Sequence, residues 1–182
     1  MYYVASGRVK ILKEDWDGKE QILHIMKPGD IFGEVVLFDD GAYPATAEVA
    51  DPTRVGMITK EKFDQYIVAH PEVALKMMKL LGQRLRSAQA KVADLALKDT
   101  YRRTVKTLYQ LMREDDCAFC EQKSKIAIPA THQELAGMVG ATRESVTRVL
   151  ANLREEGIVE TKKGWIWVRD AEQLTMKLTD EA

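Results

Sequence analysis

The stretch Thr131-His132-Gln133-Glu134-Leu135-Ala136-Gly137-Met138-Val139-Gly140-Ala141-Thr142-Arg143-Glu144-Ser145-Val146-Thr147-Arg148-Val149-Leu150 decides how the C-terminal part of this chain is built. Leu135, Met138 and Val139 fall on one face at helical spacing, Thr131 suits an N-cap, and Glu134 stands at capping-box distance from it. Gly140 suits a left-handed helix end, and Thr142 caps a second helix whose Val146, Val149, Leu150 and Leu153 serve packing. The leading end of that second helix is polar: Arg143, Glu144, Ser145 and Thr147, with Arg148 one turn on. A short helix, a glycine-bearing turn and a second helix of this kind make a helix-turn-helix, with residues 141–156 placed to enter the major groove of double-stranded DNA. An arginine fork donates to guanine O6 and N7, and a glutamate accepts from cytosine N4. The competing reading makes Arg143, Glu144 and Arg148 solvated helix residues in local ion pairs. It weakens with the next segment. Glu156-Gly157 ends the helix, and Lys162-Lys163-Gly164 turns the chain into Trp165-Ile166-Trp167-Val168, a hairpin wing with Lys162 and Lys163 near backbone phosphates.

Toward the N-terminus, Val105, Leu108, Leu111 and Met112 mark a helix ahead of a polar break at Glu114-Asp115-Asp116. Before it, Met78, Leu81, Leu85, Ala88, Val92 and Leu95 alternate at spacings of three and four, an a/d seam of almost three heptads. Polar and basic residues fill most other positions there, so a two-stranded seam and a homodimer are expected. Pro71 starts this helical stretch, and Thr59 caps a shorter one before it. Residues 1 to about 60 read as short strands: Tyr2-Tyr3-Val4, Val9 to Ile11, Gln21 to Met26, Thr46 to Ala50 and Arg54 to Ile58. Asp15-Trp16-Asp17-Gly18-Lys19 and Lys27-Pro28-Gly29-Asp30 supply turns. The expected domains are 1–75, a β-rich effector domain; 76–99, a dimerisation helix and hinge; and 100–182, the DNA-binding domain.

Charge is unevenly placed. Residues 1–75 carry a net −5, 76–106 carry +7, 107–130 carry −1 and 131–182 carry −2, which sum to the overall −1. Net charge therefore excludes neither a DNA partner nor its absence, since phosphate contacts depend on local placement. No apolar run approaches the roughly 20 residues of a membrane span, and the first residues lack signal-peptide character, so a cytoplasmic protein without a membrane partner is expected.

With these motifs in place, the chain closely resembles the bacterial transcription regulators of the cyclic-AMP receptor protein and FNR family. The resemblance is strongest at His132 to Ala136, Val139-Gly140 and Thr142 to Leu150. It implies an α+β chain with an N-terminal cyclic-nucleotide-binding-like β-roll, incomplete at its start, a long dimerisation helix and a C-terminal winged helix-turn-helix. Gly7, Gly18, Pro28-Gly29-Asp30 and Phe32-Gly33-Glu34 recur as in that roll. Arg143, Glu144 and Arg148 fall where the cyclic-AMP receptor protein has its base-reading residues, which implies TGTGA-like half-sites in an inverted repeat. The FNR branch lacks an arginine at the Arg143 position. Ser145, Thr147 and Thr142 belong to the same surface, Thr131 and Gln133 would contact phosphates, and RNA polymerase is an implied partner.

The effector is harder to infer. An ungapped alignment puts Pro44 and Ala45 where cyclic-AMP-binding members place an Arg-Ser pair on the phosphate, and Ala88 and Gln89 where they place a Thr-Ser pair on adenine. Neither Pro44 nor Ala45 holds a phosphate well, so an effector other than cyclic AMP is expected. Gly33, Glu34, Pro44, Ala45, Thr46, Arg84, Ala88 and Gln89 are the pocket candidates. For Glu34 an ion pair with Arg84 is favoured over a ribose contact, and Gly33 reads equally as a turn glycine or a ligand contact. Cys117-Ala118-Phe119-Cys120 is a weak candidate for a metal or redox site, because two further ligands at standard spacing are missing. No metal site is expected, and no cofactor is identified. No grouping of catalytic residues supports an enzyme. The alternative function is a small-molecule or redox sensor acting through protein contacts.

Overall fold

Six short strands build the first part of the chain, in a computed structural model that describes residues 1–39, 41–114, 126–162 and 164–179. They are β1 (Tyr2–Ser6), β2 (Val9–Glu14), β3 (Glu20–Met26), β4 (Ile31–Phe32), β5 (Thr46–Val49) and β6 (Arg54–Met57). They form two antiparallel three-stranded sheets, ordered β4-β1-β6 and β3-β2-β5. Val4, Val9, Met26 and Phe32 close a small core, and Leu37, Phe63 and Met77 make a second. The β2–β3 register steps between Ile11/His24 and Leu12/Ile22, leaving Leu23 as an extra residue. Such a bulge brings neighbouring side chains to the same side of a sheet, and Leu23 and His24 both line the cavity described below.

Helix α1 (Lys60–Ala69) starts at Thr59, whose hydroxyl accepts from the Lys62 amide, and α2 (Pro71–Leu97) follows after a short break. Proline opens α2 because the first helical position needs no amide donor. Along α2, Met78, Leu85, Ala88, Val92 and Leu95 are exposed and Leu81 is half-buried, whereas Met77 is buried in the first unit. Among the described residues, most of the apolar stripe expected to form a seam is thus left exposed.

Tertiary contacts separate a unit of Met1–Lys91 from one of Val92–Ala182. The second contains α3 (Thr100–Glu114), β7 (Ile126–Ile128), α4 (His132–Val139), α5 (Arg143–Glu155), β8 (Val159–Lys162), β9 (Trp165–Val168) and α6 (Ala171–Thr179). Its strands form one antiparallel sheet ordered β7-β9-β8. One continuous core, including Val105, Leu108, Leu135, Leu150, Ile166 and Leu174, joins the helices to the sheet. Strands β4 and β7 and helix α6 had no counterpart in the sequence analysis. The α+β class, the β-roll, the long helix and the winged helix-turn-helix are all present. No described helix is long and apolar enough to cross a membrane.

Candidate nucleic-acid interface and effector cavity

The helix-turn-helix is assembled by local caps. The Thr131 hydroxyl accepts from the Glu134 amide at 3.1 Å while the Glu134 carboxylate accepts from the Thr131 amide at 2.9 Å, completing the capping box. Gly140 ends α4 at φ +70°, where a side chain would be strained. The Thr142 hydroxyl accepts from the Ser145 amide at 3.2 Å and starts α5. Val146, Val149, Leu150 and Leu153 are buried, which fixes the rotation of α5 and leaves Arg143, Glu144, Thr147 and Arg148 exposed and Ser145 half-buried.

None of Arg143, Glu144 and Arg148 forms an ion pair or hydrogen bond with a described residue, although Glu144 and Arg148 stand four apart on the helix. The local pairing that would have made them ordinary surface charges is not formed. Thr131, Gln133 and Lys162 are also exposed. The wing turn reaches the start of α4: a Cβ built on Gly164 would lie 4.0 Å from Thr131 Cγ2. Thr131 and the wing therefore share one surface. Lys163 lies outside the described residues, as do Cys117 and Cys120. Among the described residues no group of three metal-ligating side chains occurs.

Two contacts in this region escaped the sequence reading. His132 Nδ1 and Thr147 Oγ1 are hydrogen-bonded at 2.9 Å, linking the first residue of α4 to the middle of α5. Burial, then the charge of Arg143, holds His132 below its ordinary pKa. Arg103 on α3 donates from Nε to the Val139 carbonyl at 3.1 Å, from Nη2 to Gly140 at 3.3 Å and from Nη1 to Lys98 at 2.7 Å. It occupies the carbonyls at the end of α4, which no intrahelical amide can reach. Nearby, Lys98 and Lys106 both pair with Asp94. Burial alone would raise the Asp94 carboxyl, but these hydrogen bonds outweigh it and hold the pKa low. Much of the basic run between residues 76 and 106 is thus engaged internally.

The β-roll forms a half-open cavity of about 560 Å³. Gly33, Glu34, Pro44, Ala45 and Arg84 line it, whereas Thr46, Ala88 and Gln89 do not. Thr46 is exposed on strand β5, and Ala88 lies one turn beyond Arg84 on the exposed part of α2. The expected Glu34–Arg84 ion pair is formed, and Arg84 also donates to the Ile31 carbonyl. Gly33 is a conformational requirement: φ is +66°, and a Cβ there would sit 3.1 Å from Tyr43 Cε1 and 3.3 Å from Tyr2 Cδ2. Tyr43 was not foreseen. Its hydrogen bond to Tyr2 raises its pKa, and both rings line the cavity beside Gly33.

Comparison with known proteins gives two domain matches: a cyclic nucleotide-binding domain over residues 1–70 and a Crp-like helix-turn-helix domain over 102–176. A CRP-like cAMP-activated global transcriptional regulator of Mycobacterium tuberculosis is 31% identical over 180 residues, 97% of this chain and 79% of that protein. A cyclic AMP receptor protein of Thermus thermophilus is 33% identical over 171 residues, 94% of this chain and 76% of that protein. Among solved structures, a CRP/FNR-family regulator of Thermus thermophilus matches with a TM-score of 0.81 at 28% identity, covering 100% of this chain and 88% of that one. The c-di-GMP responsive global regulator CLP of Xanthomonas campestris matches with a TM-score of 0.82 at 26% identity, over 93% and 84% of the two chains.

Proposed function

This chain belongs to the Crp/Fnr family of DNA-binding transcription regulators, and from that premise we propose that it acts as a homodimer on an inverted repeat of TGTGA-like half-sites, under an effector other than cyclic AMP. The observation that carries the half-site is the leading end of α5, where Arg143, Glu144 and Arg148 stand exposed and unpaired above a fully packed face. Their donors and acceptor are free for guanine and cytosine edges. Ser145, Thr147 and Thr142 belong to the same surface. Thr131 and Gln133 at the start of α4, with Lys162 and Lys163 of the wing, position the domain on backbone phosphates.

The apolar stripe from Met78 to Leu95 supports dimerisation along α2, because exposed side chains at a/d spacing lose water contact when two helices pair. RNA polymerase is the proposed protein partner. The assignment of the residues around 1–75 to effector binding, 76–99 to dimerisation and hinge, and 100–182 to DNA binding belongs to the same reading. Cyclic AMP is disfavoured because Pro44 and Ala45 bring no charge to the cavity, and Arg84 is committed to Glu34. That a c-di-GMP responsive regulator shares the fold supports an effector set by pocket residues rather than by architecture.

A mobility-shift titration with palindromes of TGTGA and TTGAT half-sites tests the proposal. Tighter, salt-sensitive binding to the TGTGA duplex is expected. Preference for TTGAT would overturn the base assignment, and lack of salt-sensitive binding to every duplex would overturn the whole reading.

A further inference from the structure

The β-roll cavity contains a polar atom that the fold itself leaves unsatisfied. Glu34 is 2% exposed, and its Oε1 is paired with Arg84. Its Oε2 is buried and has no hydrogen-bond partner among the described residues, yet the residue lines the cavity. Buried carboxylate oxygens are ordinarily satisfied, so this one calls for a donor delivered into the cavity.

The surrounding chemistry limits what that donor belongs to. Side chains such as Val9, Ile11, Met26, Phe32, Val35 and Ala47 make the wall mainly apolar, so the body of the occupant is apolar. The charges of Glu34 and Arg84 cancel. His24, the remaining titratable base on the wall, is held below its ordinary pKa first by burial and then by Arg84 and Lys91, and is neutral at pH 7. A phosphate or carboxylate entering here meets no uncommitted cation. An ammonium would leave a net positive charge against an apolar wall. A cavity of about 560 Å³ lies within the range of roughly 300–1,000 Å³ that holds small organic ligands.

We propose that this cavity binds an uncharged, mainly apolar small molecule that donates one hydrogen bond, from a hydroxyl or N–H, to Glu34 Oε2. The inference names the effector class for the regulator proposed above, and rests on that reading only for its consequence at DNA.

Three probes sharing one ring system separate the terms. 1-Naphthol is neutral and carries one donor, 1-methoxynaphthalene is neutral without a donor, and 1-naphthyl phosphate is anionic. Calorimetric titration of the full chain at pH 7 is expected to show 1-naphthol binding with one site per chain, about tenfold tighter than either of the others. Equal affinity for the naphthol and its methyl ether overturns the role of Oε2. Preference for the phosphate overturns the uncharged class, and lack of saturable binding by both neutral probes overturns the site. Glu34→Gln should erase the preference for naphthol over ether. Because that change also disturbs Arg84, Ala47→Phe serves as the second variant: it adds bulk to the lining from strand β5 and should abolish naphthol binding while the Glu34–Arg84 pair stays intact. Mobility shifts with the TGTGA palindrome complete the test. Normal DNA binding without naphthol binding overturns the ligand class alone. Naphthol binding that leaves DNA affinity unchanged supports the ligand class and overturns effector control.

Discussion

Replacing Arg103 by methionine keeps the apolar stem but deletes three hydrogen bonds, two that tie α3 to the end of α4 and one to the Lys98 carbonyl. Charge-assisted hydrogen bonds contribute about 1.5–3 kcal/mol each in favourable cases. The contact to Gly140 is long at 3.3 Å, and Arg103 is only half-buried, so water recovers part of the loss at each carbonyl. A net cost of about 2–3 kcal/mol for the second unit follows, a loss of roughly 30- to 150-fold in its folded-to-unfolded ratio. Urea unfolding followed by the fluorescence of Trp165 and Trp167, both in that unit, should show a lower midpoint with an unchanged slope. Arg103→Lys restores one point-like donor in place of a planar fork and should recover a minor share. At low temperature, where the variant is still folded, DNA affinity should also fall, since the turn that orients α5 has lost its anchor. An unfolding free energy within about 0.5 kcal/mol of the parent, or full rescue by lysine, would refute the reasoning.

Arg143→Ala should cost about 1–3 kcal/mol on the cognate half-site and relax the choice at one base pair; uniform weakening across sequences in competition binding would count against the assignment. Leu85→Lys places a charge in the proposed seam at a side chain 60% exposed in the single chain, so sedimentation should report a monomer. An unchanged dimer mass would move the interface elsewhere. His132 has a folded pKa below its ordinary 6.5, so on acidification the unfolded chain takes up the proton first. Its contribution to stability is present above about pH 6.5 and is lost as the pH falls toward the folded pKa. His132→Gln should flatten that part of the stability profile, and an identical profile would exclude the residue as its source.

How much was legible depended on the sequence distance of the partners. The caps at Thr131, Gly140 and Thr142 connect residues a few positions apart, so residue type and spacing were enough to place α4 and α5. The same holds for the turns and short strands of the β-roll and for the stripe along α2. Strands β4 and β7, of two and three residues, were too short for periodicity to emerge, and helix α6, though longer than α4, lacks the Thr-to-Glu capping box and left-handed glycine end that mark α4. The Glu34–Arg84 pair spans 50 positions and was anticipated only because the family resemblance set both residues on the pocket.

The sequence by itself determined the output of this protein: a helix-turn-helix whose polar leading face is specified by side chains that must either pack or be exposed. Periodicity alone divides those two sets, because a helix repeats its faces over every few residues. Only the tertiary structure decided how that face is held and what the other half can receive. Arg103 meets Val139 and Gly140 across three dozen positions, His132 meets Thr147 across 15, and Glu34 keeps one oxygen unsatisfied within a largely apolar wall drawn from six strands and helix α2. Such contacts arise when packing brings distant segments together, and no local pattern encodes which polar atom is left over once the core has closed.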